Sequence, residues 1–419
     1  MTTLYNLFRL HPHISTDSRR IEPDSLFFAL KGASFDGNRF AADALAKGAA
    51  YAVVDDASLP TQHPDLNDRL VVVEDVLQAL QALAREHRRE LGIPILAITG
   101  SNGKTTTKEL VTRVLSEKYT TYATHGNLNN HIGVPLTLLA MSNRTEFGVV
   151  EMGASACGEI ALLTSIAEPD YGIITNVGLA HLEGFGGPEG VRRGKGELLD
   201  YLAAHGGTAF IRKEDPVLSE MADQRPGLHT DRYSTSLAEG VAHHLEGDYN
   251  RFNVAAAVAV GHHFNIEEKR IRKAITSYHP DNNRSQRFES SYNTLILDCY
   301  NANPSSMQAA LLNFRTEPLE GRSQKVLILG DMLELGDWSQ KEHCRILALA
   351  AEIPEARLLL VGDHFAQAYN SLAEKPARTS LYQNQHRLAE ALKREPIRNA
   401  LILIKGSRGI GLETTTEQL

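Results

Sequence analysis

The chain has 419 residues, 42% apolar and 22% charged, the balance of a folded globular protein and not of a disordered one. Lys and Arg total 43 against 51 Asp and Glu, and the formal net charge of −8 argues against a generic nucleic-acid-binding surface, which needs clustered positive charge. No apolar run approaches the roughly 20 residues of a membrane-spanning helix; Met1–Arg20 has no signal-peptide pattern, and Cys157, Cys299 and Cys344 form no C-x-x-C pair, so reduced thiols in a cytoplasmic protein are expected.

At roughly 150 residues per domain the length suggests two to four domains. The first eighty-odd residues hold short apolar runs such as Ser25–Leu30 and Ala50–Val54. Asp75–Leu91 then reads as an amphipathic helix with Val76, Leu77, Leu80 and Leu83 on one side, followed by the break Gly92-Ile93-Pro94. From there strand, loop and helix alternate. Ile95–Thr99, Phe147–Val150 and Tyr171–Ile174 are continuous apolar runs suited to strands covered on both faces. Lys104–Tyr119 has helical spacing, as has Ile266–Tyr278. After the polar segment His279–Asn283 the alternation restarts, with strands expected at Thr294–Leu297, Val326–Leu329, Leu358–Val361 and Leu401–Ile404. The pattern predicts an α/β fold with mostly parallel sheets, divided into units 1–88, 89–283 and 284–419.

The sharpest local signal is Thr99-Gly100-Ser101-Asn102-Gly103-Lys104-Thr105-Thr106, between a strand and a helix. Backbone N–H groups in such a turn converge on phosphate oxygens, and the helix N-terminus adds positive potential. Lys104 would neutralise β/γ charge and the Thr105 hydroxyl would ligate Mg²⁺. The spacing is the shorter G-x-x-G-K-T, with Ile98 where the standard loop has its first glycine. In open α/β sheets ligands sit outside the carboxyl ends of the strands. Glu151 ends one strand and His181 follows another. Taken singly, a helix cap explains Glu151 and a surface loop explains His181; beside a phosphate loop both become candidate Mg²⁺ ligands. Lys195, in a polar helix start, reads by itself as a solvated cation.

These residues, in this order, resemble the Mur ligases. The resemblance covers nearly the whole chain: Ser15–Arg19, Leu26–Gly32 and Phe35–Asn38; Thr99–Thr106, Gly126–Pro135, Glu151–Gly153 and Asn176–His181; Tyr249–Asn253; and Asp298–Pro304, Gly330–Gly336 and Lys405–Gly409. Tyr300-Asn301-Ala302-Asn303-Pro304 and Asp331-Met332-Leu333-Glu334-Leu335-Gly336 point to the branch that joins D-alanyl-D-alanine to a UDP-muramoyl-tripeptide. The branch that adds a diamino acid carries Asp-Asn-Pro-Arg instead, for which the nearest string here is Asp281-Asn282-Asn283-Arg284. Cys299 departs from the pattern, standing where a second Asp is frequent.

The resemblance implies three domains: a small α/β domain holding the UDP-sugar, a central P-loop ATPase domain and a C-terminal Rossmann-like domain. It implies an ATP-dependent amide ligase working through an acyl phosphate, monomeric, with UDP-muramoyl-tripeptide and D-Ala-D-Ala as partners and two Mg²⁺ ions. Lys104, His181 and Lys195 would carry the chemistry. Thr105, Glu151, His181 and a Lys195 carbamylated by CO₂ would hold metal. Gly100, Asn102, Gly103, Lys104, Thr105, Thr106, Asn253, Arg284 and Asp298 would contact the nucleotide. Ser18, Arg19, Lys31, Asn127, Asn129, Asn130, Tyr300, Asn301, Asn303, Lys405, Ser407 and Arg408 would contact the other substrates. Plainer readings stand beside several of these: a helix N-cap for Asn253 and for Asn303, turn formation for Asn127–Asn130, and solvated charge for Arg19, Lys31, Arg284, Lys405 and Arg408. Two rivals are a ligase of the folylpolyglutamate synthase type, which leaves Tyr300–Asn303 unexplained, and a nucleotide-binding switch, which has no need of Lys405–Gly409.

Overall fold

In a computed structural model that describes residues 3–280 and 286–419, the expected alternation forms three sheets and one small hairpin. The N-terminal sheet runs Ile14–Ser15, Leu26–Phe28, Tyr51–Val54, Leu70–Val72, all parallel. Beside it Lys31–Gly32 and Phe35–Asp36 pair as an antiparallel hairpin. The helix expected from residue 75 spans Val76–Leu91. Asp75 caps it, its carboxylate accepting from the Gln78 N–H, and Gly92 ends it in the left-handed region at φ +60°. Val76, Leu80 and Leu83 are buried on one face, in an apolar cluster that joins Leu26 and Phe28 of the first sheet to Ile95 and Val134 of the central unit. The first sheet is thus anchored to the second through this helix.

The central sheet runs His229–Tyr233, Thr208–Arg212, Tyr171–Ile174, Ile95–Thr99, Phe147–Glu151, Thr121–Ala123, all parallel. All five residues of Ile95–Thr99 and of Phe147–Glu151 are buried, as a sheet covered on both faces requires. Chain order reverses direction across the sheet at Ile95–Thr99, whose neighbours on either side come later in sequence. The carboxyl ends of the strands at such a switch point open a crevice.

The C-terminal sheet runs Gln286–Glu289, Thr294–Asp298, Ala400–Lys405, Gln324–Gly330, Arg357–Val361, Thr379–Tyr382, with only the first strand antiparallel. Its second strand is followed by a helix, Pro304–Thr316, which starts with a reciprocal capping box between Asn303 and Ser306. An apolar cluster spans the junction of the two large units, with Leu182, Phe185 and Val191 on one side and Ala302, Met307, Met332 and Leu335 on the other. The carboxyl edges of both sheets therefore face one shared cavity.

Candidate active site

The phosphate loop shows why glycine stands where it does. Gly100 has φ +140°, and a Cβ there would lie 2.0 Å from Thr175 Oγ1; Gly103 has φ +79°, and a Cβ there would lie 2.6 Å from Asn253 Oδ1. Both positions combine left-handed backbone with close approach, so side chains are excluded twice over. The loop is strapped to the next strand tip. Asn102 N–H donates to Asn176 Oδ1 (3.1 Å), and the Asn102 carbonyl accepts from Thr175 Oγ1 (2.6 Å) and Asn176 Nδ2 (2.9 Å). Ser101 Oγ donates to the Gly178 carbonyl and accepts from the Gly178 N–H, each at 2.9 Å. Lys104 Nζ folds back onto the Gly100 carbonyl at 2.7 Å. Thr105 and Thr106 both lie in the first turn of the helix Lys104–Ser116; Thr106 lines the cavity, whereas the buried Thr105 is not among its lining residues.

The cavity holds about 730 Å³ and is lined by the loop residues 101–104, by Glu151, by His181 and, from the C-terminal unit, by Asp298, Tyr300, Asn301, Asn303 and Lys405. Glu151 is only 1% exposed. Its Oε1 accepts from Asn129 Nδ2 at 2.8 Å, while Oε2 is buried with no partner among the described residues. An unpaired buried carboxylate oxygen is costly, and its chemistry suits a divalent cation. No group of three or more His, Cys, Asp or Glu able to cage a metal occurs among the described residues, so phosphate oxygens would have to complete the coordination of any ion there.

His181 sits in the left-handed region, φ +52°, at the start of the short helix Leu182–Phe185. Its Nδ1 lies 2.5 Å from Glu334 Oε2 of the C-terminal unit. Burial lowers its pKa below the ordinary value; Glu334 opposes that shift, and the charges of Lys104 and Lys195 reinforce it. Lys195 is 1% exposed, does not itself line the cavity and donates to the Ala154 carbonyl at 3.3 Å, with Nζ 5.2 Å from the centre of the Phe185 ring. Burial, and then Lys104, push its pKa down to about 7, against the pull of Glu159 and Glu197. It is therefore not the solvated cation that its sequence context suggests.

Other expected residues take varied places. Asn129, expected as a substrate contact, lines the cavity; its amide donates to Glu151, and its backbone carbonyl accepts from the Gly153 N–H. Asn130 lines the cavity, but its Oδ1 accepts from Ile132 and Gly133 N–H; Asn127 lies in the same turn, outside the lining. Asn253 is not an N-cap: the helix runs Asn250–His263 with Tyr249 at the cap position. Asn253 lies inside its first turn, accepting from Thr107 Oγ1 and donating to Asn250 Oδ1. Asn303 does cap its helix, and it also pairs with Asn102, Nδ2 donating to Asn102 Oδ1 at 2.8 Å. Asn301 Oδ1 accepts from the Ala302 N–H. Lys405 Nζ lies 2.5 Å from Asp298 Oδ2. Ser407 is buried, accepting from Leu333 N–H and donating to the Ala302 carbonyl. The exposed Arg408 stacks over Tyr300 at 5.5 Å.

Ser18, Arg19 and Lys31 lie in the N-terminal unit, outside this cavity. Arg19 forms a bidentate pair with Asp17, Lys31 pairs with Asp55 at 2.8 Å, and the Ser18 carbonyl accepts from Lys47. Arg284 lies outside the described residues. Sequence reasoning passed over Arg212, which lines the cavity, pairs with Asp215 at 2.6 Å and stacks over Phe252 at 4.2 Å. A cation closing the apolar run Ala209-Phe210-Ile211 at a strand's carboxyl end was the available signal.

Three family models match: "Mur ligase family, catalytic domain" over residues 12–88, "Mur ligase middle domain" over 98–269, and "Mur ligase, glutamate ligase domain" over 283–408. The UDP-N-acetylmuramoyl-tripeptide--D-alanyl-D-alanine ligase of Bacillus subtilis is 37% identical, covering 97% of this chain and 92% of that protein. The protein of the same name from Escherichia coli is 31% identical, with 97% and 93% covered. Among solved structures, MurF from Acinetobacter baumannii superposes with a TM-score of 0.84 at 30% identity, covering 97% of this chain and 93% of that one. MurF ligase from Thermotoga maritima, in complex with ADP, shares the fold at a TM-score of 0.84 and 24% identity over 100% and 98%.

Proposed function

The chain belongs to the Mur ligase family, and we propose that it joins D-alanyl-D-alanine to UDP-N-acetylmuramoyl-tripeptide in peptidoglycan synthesis, at the expense of ATP. The observation that carries this reading is the convergence of the phosphate loop, Glu151 and His181 from one sheet with Asp298, Tyr300–Asn303 and Lys405 from another on a single cavity. We read residues 1–88 as the holder of the UDP-sugar, 89–283 as the ATP-binding unit and 284–419 as the closing unit. The protein acts in this reading as a cytoplasmic monomer; no helix among the described residues is long and apolar enough to cross a membrane.

A carboxylate is a poor acylating group because its leaving group would be oxide. In the proposed reaction the tripeptide's terminal carboxylate oxygen attacks the γ-phosphorus of ATP; an O–P bond forms, the bond to the β-bridging oxygen breaks, and ADP departs. The amine of D-Ala-D-Ala then attacks the acyl carbon, an N–C bond forms, the amine gives up a proton, and inorganic phosphate leaves with the C–O electron pair. Two anions must meet, so the chain's task is to supply positive charge and donors. The N–H groups of Gly103 and Lys104, at the start of the helix, would cradle phosphate, while those of Ser101 and Asn102 are spent on Asn176; Lys104 Nζ would exchange the Gly100 carbonyl for a phosphate oxygen. Asn129 holds Glu151 in place through Oε1. Glu151 and Thr105, and for a second ion His181 and a carbamylated Lys195, would hold Mg²⁺, which would supply neutralisation of negative charge.

For Lys195 to serve there it must become an anion. A lysine held near pKa 7 presents a neutral amine to CO₂; the N–C bond forms, a proton is lost to water, and a carbamate results. Lys195→Ala is expected to lose at least about tenfold in kcat, with partial recovery on adding short carboxylates; full activity in the untreated variant would remove the assignment. The function itself is tested by mass spectrometry of the product after incubation with ATP, Mg²⁺, UDP-muramoyl-tripeptide and D-Ala-D-Ala, where no D-Ala-D-Ala-dependent product would sink it.

A further inference from the structure

The strand Gln324–Gly330 runs on into Asp331-Met332-Leu333-Glu334-Leu335-Gly336, whose backbone is tied down residue by residue. The Asp331 carboxylate accepts from the N–H groups of His364 (2.9 Å) and Phe365 (2.8 Å), and its carbonyl accepts from the Ser407 N–H (3.1 Å). Met332 N–H donates to His343 Nε2 (3.0 Å), and Leu333 N–H donates to Ser407 Oγ (3.0 Å). These bonds make the segment a rigid arm of the C-terminal sheet.

The arm crosses to the central unit. Glu334 turns it with φ +62°, and its carbonyl accepts from the Glu183 N–H (3.3 Å). Gly336, φ +52°, packs so closely that a Cβ there would come 3.2 Å from the Glu183 side chain; a Cβ on Gly187 would lie 3.5 Å from the Trp338 ring. Left-handed backbone at a non-glycine residue persists only where the surroundings over-determine it. Here two such residues, Glu334 and His181, face each other across the junction of two units.

Their contact is chemical as well as steric. Glu334 Oε2 lies 2.5 Å from His181 Nδ1, an ion-pair contact out of line for a hydrogen bond in this conformation, and that nitrogen is sealed from water with no hydrogen-bond partner among the described residues. A carboxylate at one ring nitrogen selects the tautomer with its proton there and fixes the ring's rotation. The other nitrogen, Nε2, has no partner among the described residues, and His181 lines the cavity. We propose that Glu334 is a positioning residue: when the arm is seated, it holds His181 with the proton on Nδ1, so that the Nε2 lone pair is presented to the cavity, where it would hold a divalent cation. The C-terminal unit thereby completes a site on the central unit as it docks. This deepens the ligase reading, and rests on it only for the use made of Nε2.

The test is long-range ¹H–¹⁵N correlation of the full chain labelled at histidine, without substrates, at mildly alkaline pH, with His181 assigned from the missing signals of His181→Gln. The wild-type protein is expected to show His181 protonated at Nδ1. Glu334→Ala should move the proton to Nε2, the preferred site of a free imidazole, or average the two. Glu334→Gln, which keeps an acceptor oxygen, should retain the wild-type pattern. In parallel, Glu334→Ala should lower kcat about 10–100-fold with KM for ATP little changed, and Glu334→Gln should lower it less. A wild-type His181 protonated at Nε2, or a tautomer unchanged in Glu334→Ala, overturns the proposal. Because the spectra need no turnover, they report on the Glu334–His181 contact even if the substrates prove to be different ones.

Discussion

His343 shows how much one buried side chain commits to. Its Nδ1 donates to the Ser339 carbonyl (2.8 Å) and its Nε2 accepts from Met332 N–H (3.0 Å), so only the neutral ring satisfies both. Burial lowers its pKa; the Ser339 carbonyl and Asp331 pull the other way, and His364 adds to the lowering. The unfolded chain therefore binds the proton first. The stability His343 contributes is fully present above the ordinary histidine value of 6.5 and is lost as pH falls from there through the depressed folded value. His87, neutral between the Tyr5 hydroxyl and the Met141 carbonyl, carries the same sign. His343→Gln is expected to cost roughly 1–3 kcal/mol at neutral pH and to flatten the decline of the urea midpoint on acidification. An unchanged pH slope would show that His343 does not contribute to it.

At the scale of elements, the phosphate loop was legible because its requirements are local. A strand must end, the backbone must turn through φ values that only glycine adopts freely, and a helix must begin; each leaves its residue type in sequence. Gly100→Ala would force a Cβ to 2.0 Å from Thr175 Oγ1 at φ +140°. ADP binding measured by calorimetry is expected to weaken at least about tenfold, since a displacement of about 1 Å in the loop donors removes several hydrogen bonds worth roughly 1 kcal/mol each. Gly206→Ala is the control: φ +71° gives it comparable strain, but a Cβ there meets nothing within 4 Å, so stability falls and ADP affinity holds. Equal loss in both variants would mean that general destabilisation, and not loop geometry, governs binding. Helix starts were legible for the same local reason at Asp75 and Asn303, whereas the plainer reading of Asn253 as a cap fails: an Asn before an apolar run looks like a cap, but the helix begins three residues earlier and buries it.

At the scale of the molecule, the candidate site exists only where two sheets meet. Leu335, 2% exposed, belongs to the apolar cluster that joins the C-terminal unit to Leu182, Phe185 and Val191. Leu335→Ala removes that packing at a cost of about 2–4 kcal/mol. Small-angle scattering should report a larger radius of gyration while circular dichroism keeps its helix and strand signal, and ligase activity should fall with it. Unchanged scattering and activity would show that the junction does not depend on this contact.

Local pattern was enough for buried strands such as Ile95–Thr99, for the helix Val76–Leu91, for the glycine turn and for the family resemblance, because periodicity, capping and backbone conformation act over a few residues; from edge strands such as His229–Tyr233 and from the helix Pro188–His205 no such signal was read. The work of the polar groups depends on how distant segments pack. Asn129 serves Glu151, Ser407 anchors a loop, Lys195 loses its solvent, and Glu334 reaches His181 from 153 positions away. The physical reason is that the charge state, tautomer and hydrogen-bond partner of a side chain depend on burial and on which distant atoms come within about 3 Å, and no local pattern encodes either.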